Sequence, residues 1–115
     1  MLKYIYALIN LRNMSKGMNK MISYYKTING KTTEIDKCEK ECWIKCISPT
    51  EEEINFLISK FKLEPEFVRA SLDEEESSHI DDENGTTLII IDSPVVNKSG
   101  KNLTYYTTPL SMILT

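Results

Sequence analysis

The sequence predicts an α/β fold of the α+β kind, a mixed β-sheet flanked by short helices. Three observations carry that expectation. Two Asn-Gly dipeptides, Asn29-Gly30 and Asn84-Gly85, punctuate β-rich runs, and two amphipathic helical patterns lie between residues 48 and 72. A run of branched aliphatic side chains, Leu88-Ile89-Ile90-Ile91, follows them. Strands, then helices, then strands again is the order expected of one layered domain, and 115 residues are enough for one small core.

The chain opens with an uneven charge. Residues 1–20 hold four basic groups, Lys3, Arg12, Lys16 and Lys20, and no acid. A short apolar patch at 4–9 after a positive start is faintly like a secretory signal, but no small-residue cleavage site precedes Arg12 and Lys16. Met14, Met18 and Met21 offer further starts, so 1–20 reads as an N-terminal extension, disordered or upstream of a domain spanning 21–115.

The domain itself is read in order. Residues 21–28 and 32–35 flank Asn29-Gly30-Lys31, and both Asn and Gly tolerate the positive φ of a type I′ hairpin turn. A charged loop is expected at 37–41. Residues 42–47 then read as a strand with Cys42, Ile44 and Cys46 on one side, as small buried hydrophobes in a reducing compartment. Cys38, Cys42 and Cys46 recur at a spacing of four, which lacks the second pair or the histidines of a zinc site. Their odd number also argues against a closed disulfide framework.

Ser48 suits a helix N-cap, Pro49 the first helical position, and Glu51 the far corner of a capping box. Glu51, Glu52 and Glu53 complement the positive end of the helix dipole. Ile54, Leu57, Ile58 and Phe61 then form one apolar face. Pro65 starts a second helix, with Phe67, Val68 and Leu72 as its shorter apolar face.

Seven carboxylates follow between Asp73 and Glu83 with no basic residue among them. Such a run is either a solvated loop or a collecting point for hard cations. Asn84-Gly85 turns the chain into a strand at 86–92, whose near-continuous apolar character predicts burial on both faces. Pro94 is expected to end it. A polar turn at 97–102, a returning strand at 103–108 and a further strand beginning at Pro109 complete the reading, which leaves the sheet truncated at Thr115.

Composition excludes several functions. Net charge is −3, but residues 21–115 hold 10 basic and 17 acidic groups, a sign that repels nucleic-acid phosphates. No apolar stretch approaches the ~20 residues of a membrane-spanning helix. His79 is the one histidine and has no nucleophile to pair with. Trp43, Tyr24-Tyr25 and Tyr105-Tyr106 read as core and sheet residues, and no phosphate loop or nucleophile elbow occurs. The expectation is that the protein is not an enzyme.

Several short motifs follow one another in a set order: Trp43-Ile44, Pro49-Thr50-Glu51-Glu52-Glu53-Ile54, Leu63-Glu64-Pro65-Glu66-Phe67-Val68 and Ala70-Ser71-Leu72-Asp73-Glu74-Glu75-Glu76. They continue through Thr87-Leu88-Ile89-Ile90-Ile91-Asp92, Pro94-Val95-Val96 and Pro109-Leu110-Ser111-Met112-Ile113-Leu114-Thr115. Their order resembles the cytosolic N-terminal domain of CorA-type magnesium transporters. It implies a piece of a homopentameric divalent-cation transporter, on the cytoplasmic side of the membrane. In that family a long stalk helix and two membrane helices with a Gly-Met-Asn signature follow the domain. By that resemblance this chain cannot conduct ions alone and is soluble and cytoplasmic as a fragment. It meets the membrane only through segments it lacks.

Gly17-Met18-Asn19 spells the pore tripeptide without its membrane setting and is read as chance. The family's sensing Glu-Asp pair aligns with Arg69 and Ala70, so the usual carboxylate is missing. Asp73, Glu74, Glu75 and Glu76 are the substitute candidates for weak magnesium binding, with no cofactor required. A stand-alone interaction or regulatory module on the same fold is the alternative. An unpaired sheet edge is expected to promote self-association.

Overall fold

The structure, a computed structural model, describes residues 4–9 and 22–115. Its strands are β1 (Ile5–Ile9), β2 (Ile22–Ile28), β3 (Lys31–Ile35), β4 (Trp43–Ile47), β5 (His79–Glu83), β6 (Thr86–Ser99) and β7 (Asn102–Leu114). The helices α1 (Glu51–Phe61) and α2 (Pro65–Ser71) lie between β4 and β5 in sequence. The described strands form one sheet in the order β3-β2-β4-β1-β7-β6-β5. β1 runs parallel to β4 and every other neighbour is antiparallel, so the sheet is mixed, as the sequence predicts.

Both Asn-Gly signals make the turns expected of them. Asn29 and Gly30 have φ of 51° and 78°, and Asn84 and Gly85 have 51° and 81°. Positive φ at both central residues is the type I′ geometry, whose twist matches the flanking strands.

Residues 5–9 correct the reading of 1–20 as an extension. They are β1, which lies between β4 and β7 with Ile5 in register with Trp43 on one side and Leu114 on the other. Tyr6 and Leu8 are buried. Residues 1–3 and 10–20, including Gly17-Met18-Asn19, lie outside the described residues.

Directly opposed residues on neighbouring strands share a face, so the register assigns the two faces. On one, Tyr6, Leu8, Ile44, Cys46, Leu88, Ile90 and Ile113 join Ile54, Leu57, Phe67 and Val68 of the helices in a single core. Ile58, Phe61 and Leu72 pack against it, so both expected helix faces are the observed ones. α2 is tied to the sheet by Ser111, whose Oγ donates to the Ser71 carbonyl at 3.3 Å. Ser71 in turn donates to the Phe67 carbonyl at 2.7 Å, so both buried serine hydroxyls are satisfied.

The start of α1 lies two residues beyond the expected cap. Thr50 is the N-cap, its Oγ1 accepting from Glu53 N at 3.2 Å while Glu53 Oε1 accepts from Thr50 N at 2.9 Å. Ser48 has a φ of 42°, which keeps it out of the extended geometry an N-cap needs. Pro49 therefore precedes the cap, whereas Pro65 does occupy the first turn of α2.

Three strand expectations are also corrected. Residues 79–83 of the acidic run are not loop but edge strand β5, paired with β6. β6 is buried on one face: Leu88 and Ile90 are enclosed, but Ile91 is 43% exposed and Ile89 only half-buried. Pro94 does not end a strand, and Pro109 does not begin a separate one. β6 and β7 run through them, with Pro94 opposite Thr107 and Pro109 opposite Asp92. β5 stops pairing at Ile90 and β1 at Leu110, so each proline lies where its strand has one described neighbour and a missing N–H interrupts no second ladder.

Candidate functional site

The predicted cation residues do not converge. The turn after α2 uses Asp73 structurally: its Oδ1 accepts from Glu75 N at 3.0 Å, and its carbonyl accepts from Glu76 N at 3.2 Å. Glu76 Oε1 lies 3.7 Å from His79 Nδ1, while that nitrogen is 2.6 Å from the Ser77 carbonyl. Glu75 is exposed and Glu74 half-buried. Asp82, further on, accepts from the Thr87 hydroxyl across the β5–β6 pair. Among the described residues, no three His, Cys, Asp or Glu side chains come together as a metal-binding group. Arg69 is exposed on α2 and Ala70 packs against the core.

Two other regions carry more structure. The first is the sheet face opposite the helices. Ile5, Ala7, Ile47, Ile89, Leu110 and Met112 are half-buried on it, and Trp43 is 40% and Ile80 69% exposed. A shallow cleft of about 470 Å³ on this face is lined by Ala7, Tyr25, Thr27, Thr32, Trp43 and Lys45, with the Lys45 ammonium over the Tyr25 ring at 5.7 Å. Large exposed apolar patches mark interaction surfaces in proteins generally. Reading the 86–92 run as doubly buried hid this face, although the alternation of Trp43, Lys45 and Ile47 with Cys42, Ile44 and Cys46 was its signal.

The second region lies at the end of the sheet where β1 begins. A cleft of about 480 Å³ is lined by Tyr4, Cys38, Lys60, Phe61, Lys62, Thr86 and Thr115. Its architecture follows from the chain's closure: Thr115 N donates to the Tyr4 carbonyl and Ile5 N to the Cys42 carbonyl, at 3.2 and 3.3 Å. Tyr4, Tyr6 and Phe61 stack their rings with centroids 5.4 to 6.2 Å apart. Cys38 and Cys42 bring their sulfurs to 3.4 Å. Burial first, then the hydrogen bond with Cys42, pushes the Cys38 thiol up to about 12, with Lys60 pulling the other way. Burial also pushes Cys46 up to about 12, helped by the Glu53 charge. The Tyr6 phenol is buried without a hydrogen-bond partner and is likewise raised, by burial and then by the neighbouring thiols.

This architecture defines a class first: an α+β module with a mixed sheet, two short helices on one face, and the other face open among the described residues. No described helix is long and apolar enough to cross a membrane. The solved structure of the complete CorA magnesium transporter from Methanocaldococcus jannaschii is similar, with a TM-score of 0.61 and 19% identity over 82% of this chain. The fold is therefore CorA-like, and the chain covers 30% of the length of that transporter. No family model matches the sequence, and no curated protein matches it significantly.

Proposed function

We propose that the chain serves as the cytosolic α/β module of a CorA-like divalent-cation transporter, supplying an assembly surface rather than a conducting or catalytic element. The observation that supports this reading most directly is the CorA-like fold extending over 82% of the chain. The open apolar sheet face agrees with it, because such a face calls for another packed layer, from the rest of a longer chain or from another subunit. Any response to magnesium would then be sought at contacts between subunits, because among the described residues Asp73, Glu74, Glu75 and Glu76 do not gather into a three-ligand group.

The reading frame of the messenger RNA beyond the Thr115 codon tests this. The expected continuation is a long helix, two apolar segments of about 20 residues each and a Gly-Met-Asn tripeptide. A stop at that codon, together with a protein whose mass and melting ignore magnesium, would leave a stand-alone interaction module instead.

A further inference from the structure

We propose that Cys38 and Cys42 are a redox-active thiol pair, closed to an intramolecular disulfide by an anionic low-molecular-weight disulfide that enters the adjoining lysine-lined cleft. The geometry carries the first half of this. The two sulfurs lie 3.4 Å apart with no strand or helix constraining the loop between β3 and β4 that holds Cys38. From 3.4 Å, a bond of about 2.0 Å requires only a modest closure. Cys46 differs: it is fixed on β4 and fully buried.

The two thiols divide the labour. Cys38 is half-buried and lines the cleft, whereas Cys42 is completely enclosed behind it. An oxidant from solvent therefore meets Cys38 first, and Cys42 resolves the product. In the first exchange, the Cys38 thiolate attacks one sulfur of glutathione disulfide. That disulfide bond breaks, and the first glutathione leaves as a thiolate that takes up the proton given up by Cys38. The Cys42 thiolate then attacks the Cys38 sulfur of the mixed disulfide, and the second glutathione leaves with the second proton. Two protein thiols are oxidised and one small disulfide is reduced.

Charge supplies the second half. Lys60 and Lys62 line the same cleft as Cys38, and among the described residues no Asp or Glu side chain does. Glutathione disulfide carries net negative charge through its carboxylates, and its size suits a cleft of about 480 Å³. Burial keeps Cys38 largely protonated, so the exchange is slow and reports sustained oxidation rather than brief pulses.

The test treats the reduced full chain with glutathione disulfide, quenches by alkylation and maps the thiols by mass spectrometry. The expected product has lost two hydrogens, links Cys38 to Cys42 and leaves Cys46 alkylated after denaturation. Cys42→Ala should trap one glutathione on Cys38. Cys38→Ala, at the more accessible position, should form no intramolecular disulfide. In the double variant Lys60→Gln/Lys62→Gln, the rate with glutathione disulfide relative to neutral hydroxyethyl disulfide should fall by about tenfold. Thiols that stay free in excess oxidant, or a stable glutathione adduct on the unsubstituted chain, would overturn the pair. A disulfide that persists in Cys38→Ala would overturn it as well. An unchanged rate ratio in the lysine variant would overturn the role of the cleft.

Discussion

Tyr6 of β1 lies directly opposite Ile113 of β7, and both side chains are fully buried. This pairing joins the two ends of the chain in the middle of the sheet. It places β1 between β4 and β7, so among the described strands the two halves of the sheet are paired only through the five residues of β1. A protein begun at Met21 would lack that strand. The loss removes the burial of Tyr6 and Leu8, about 1.5 to 3 kcal/mol each, and strips hydrogen-bond partners from two central strands. Against a total stability of about 5 to 15 kcal/mol, that is disabling. A chain comprising 21–115 should show no cooperative thermal transition by circular dichroism. A sharp transition like that of the full chain would refute the central role of β1.

The cap of α1 is a smaller but cleaner test. Thr50 and Glu53 satisfy each other's backbone N–H groups, so the capping box is theirs. Thr50→Ala should therefore lower stability by about 1 kcal/mol, read as a lower denaturant midpoint with an unchanged slope. Restoring an oxygen with Thr50→Ser should recover most of it. Equal midpoints for Thr50→Ala and the unsubstituted chain would show that the box contributes nothing.

What could be read from the sequence followed the range of the signals. The Asn29-Gly30 and Asn84-Gly85 turns, the Ile54, Leu57, Ile58 and Phe61 face, and the one-sided burial of Cys42, Ile44 and Cys46 rest on local chemistry, and each was legible. β1 was not, because five apolar residues become a central strand only through partners at the far ends of the chain, Trp43 and Leu114 among them. Pro94 and Pro109 misled for a related reason: a proline breaks a strand only where its N–H is needed, and that depends on which neighbours stop pairing first. The acidic run pointed to metal by composition, but Asp73 is engaged in its own turn and the last three carboxylates alternate along β5. The Cys38–Cys42 contact was hidden because it depends on how the loop before β4 folds back, as marked by Glu41 at a φ of 67°.

The open face makes its own prediction about association. The sheet edges are poor templates: β5 is short and acidic, and β3 ends beside charged residues. The apolar face is the stronger hazard, which moves the expected self-association from the edge to the face. Trp43→Lys and Ile91→Lys place charges there without touching the core, since both side chains are about two-fifths exposed. Sedimentation at high concentration should show less association in both variants, with melting temperatures close to that of the unsubstituted chain. If instead both variants associated as strongly as the unsubstituted chain, the apolar face would not be the contact.

The buried thiols set the response to alkali. Cys46 ionises at about 12 in the folded chain against an ordinary 9.0, chiefly because burial penalises the thiolate. A thiol that is harder to ionise when folded gives its full stabilisation below the unfolded value, where both states keep the proton. Between 9.0 and about 12 only the unfolded chain ionises, so stability falls steadily as pH rises through that window. Each unit of difference is worth about 1.4 kcal/mol, so the decline from this thiol amounts to a few kcal/mol. Urea melts at about pH 8 and about pH 10.5 should show the loss in the unsubstituted chain. Cys46→Ala starts lower because it opens a small cavity, but its stability should fall less steeply over the same interval. The raised Tyr6 phenol acts in the same direction above 10.0 and persists in the variant, so the slope is reduced rather than abolished. Parallel declines in the two proteins would show that Cys46 ionises as readily folded as unfolded.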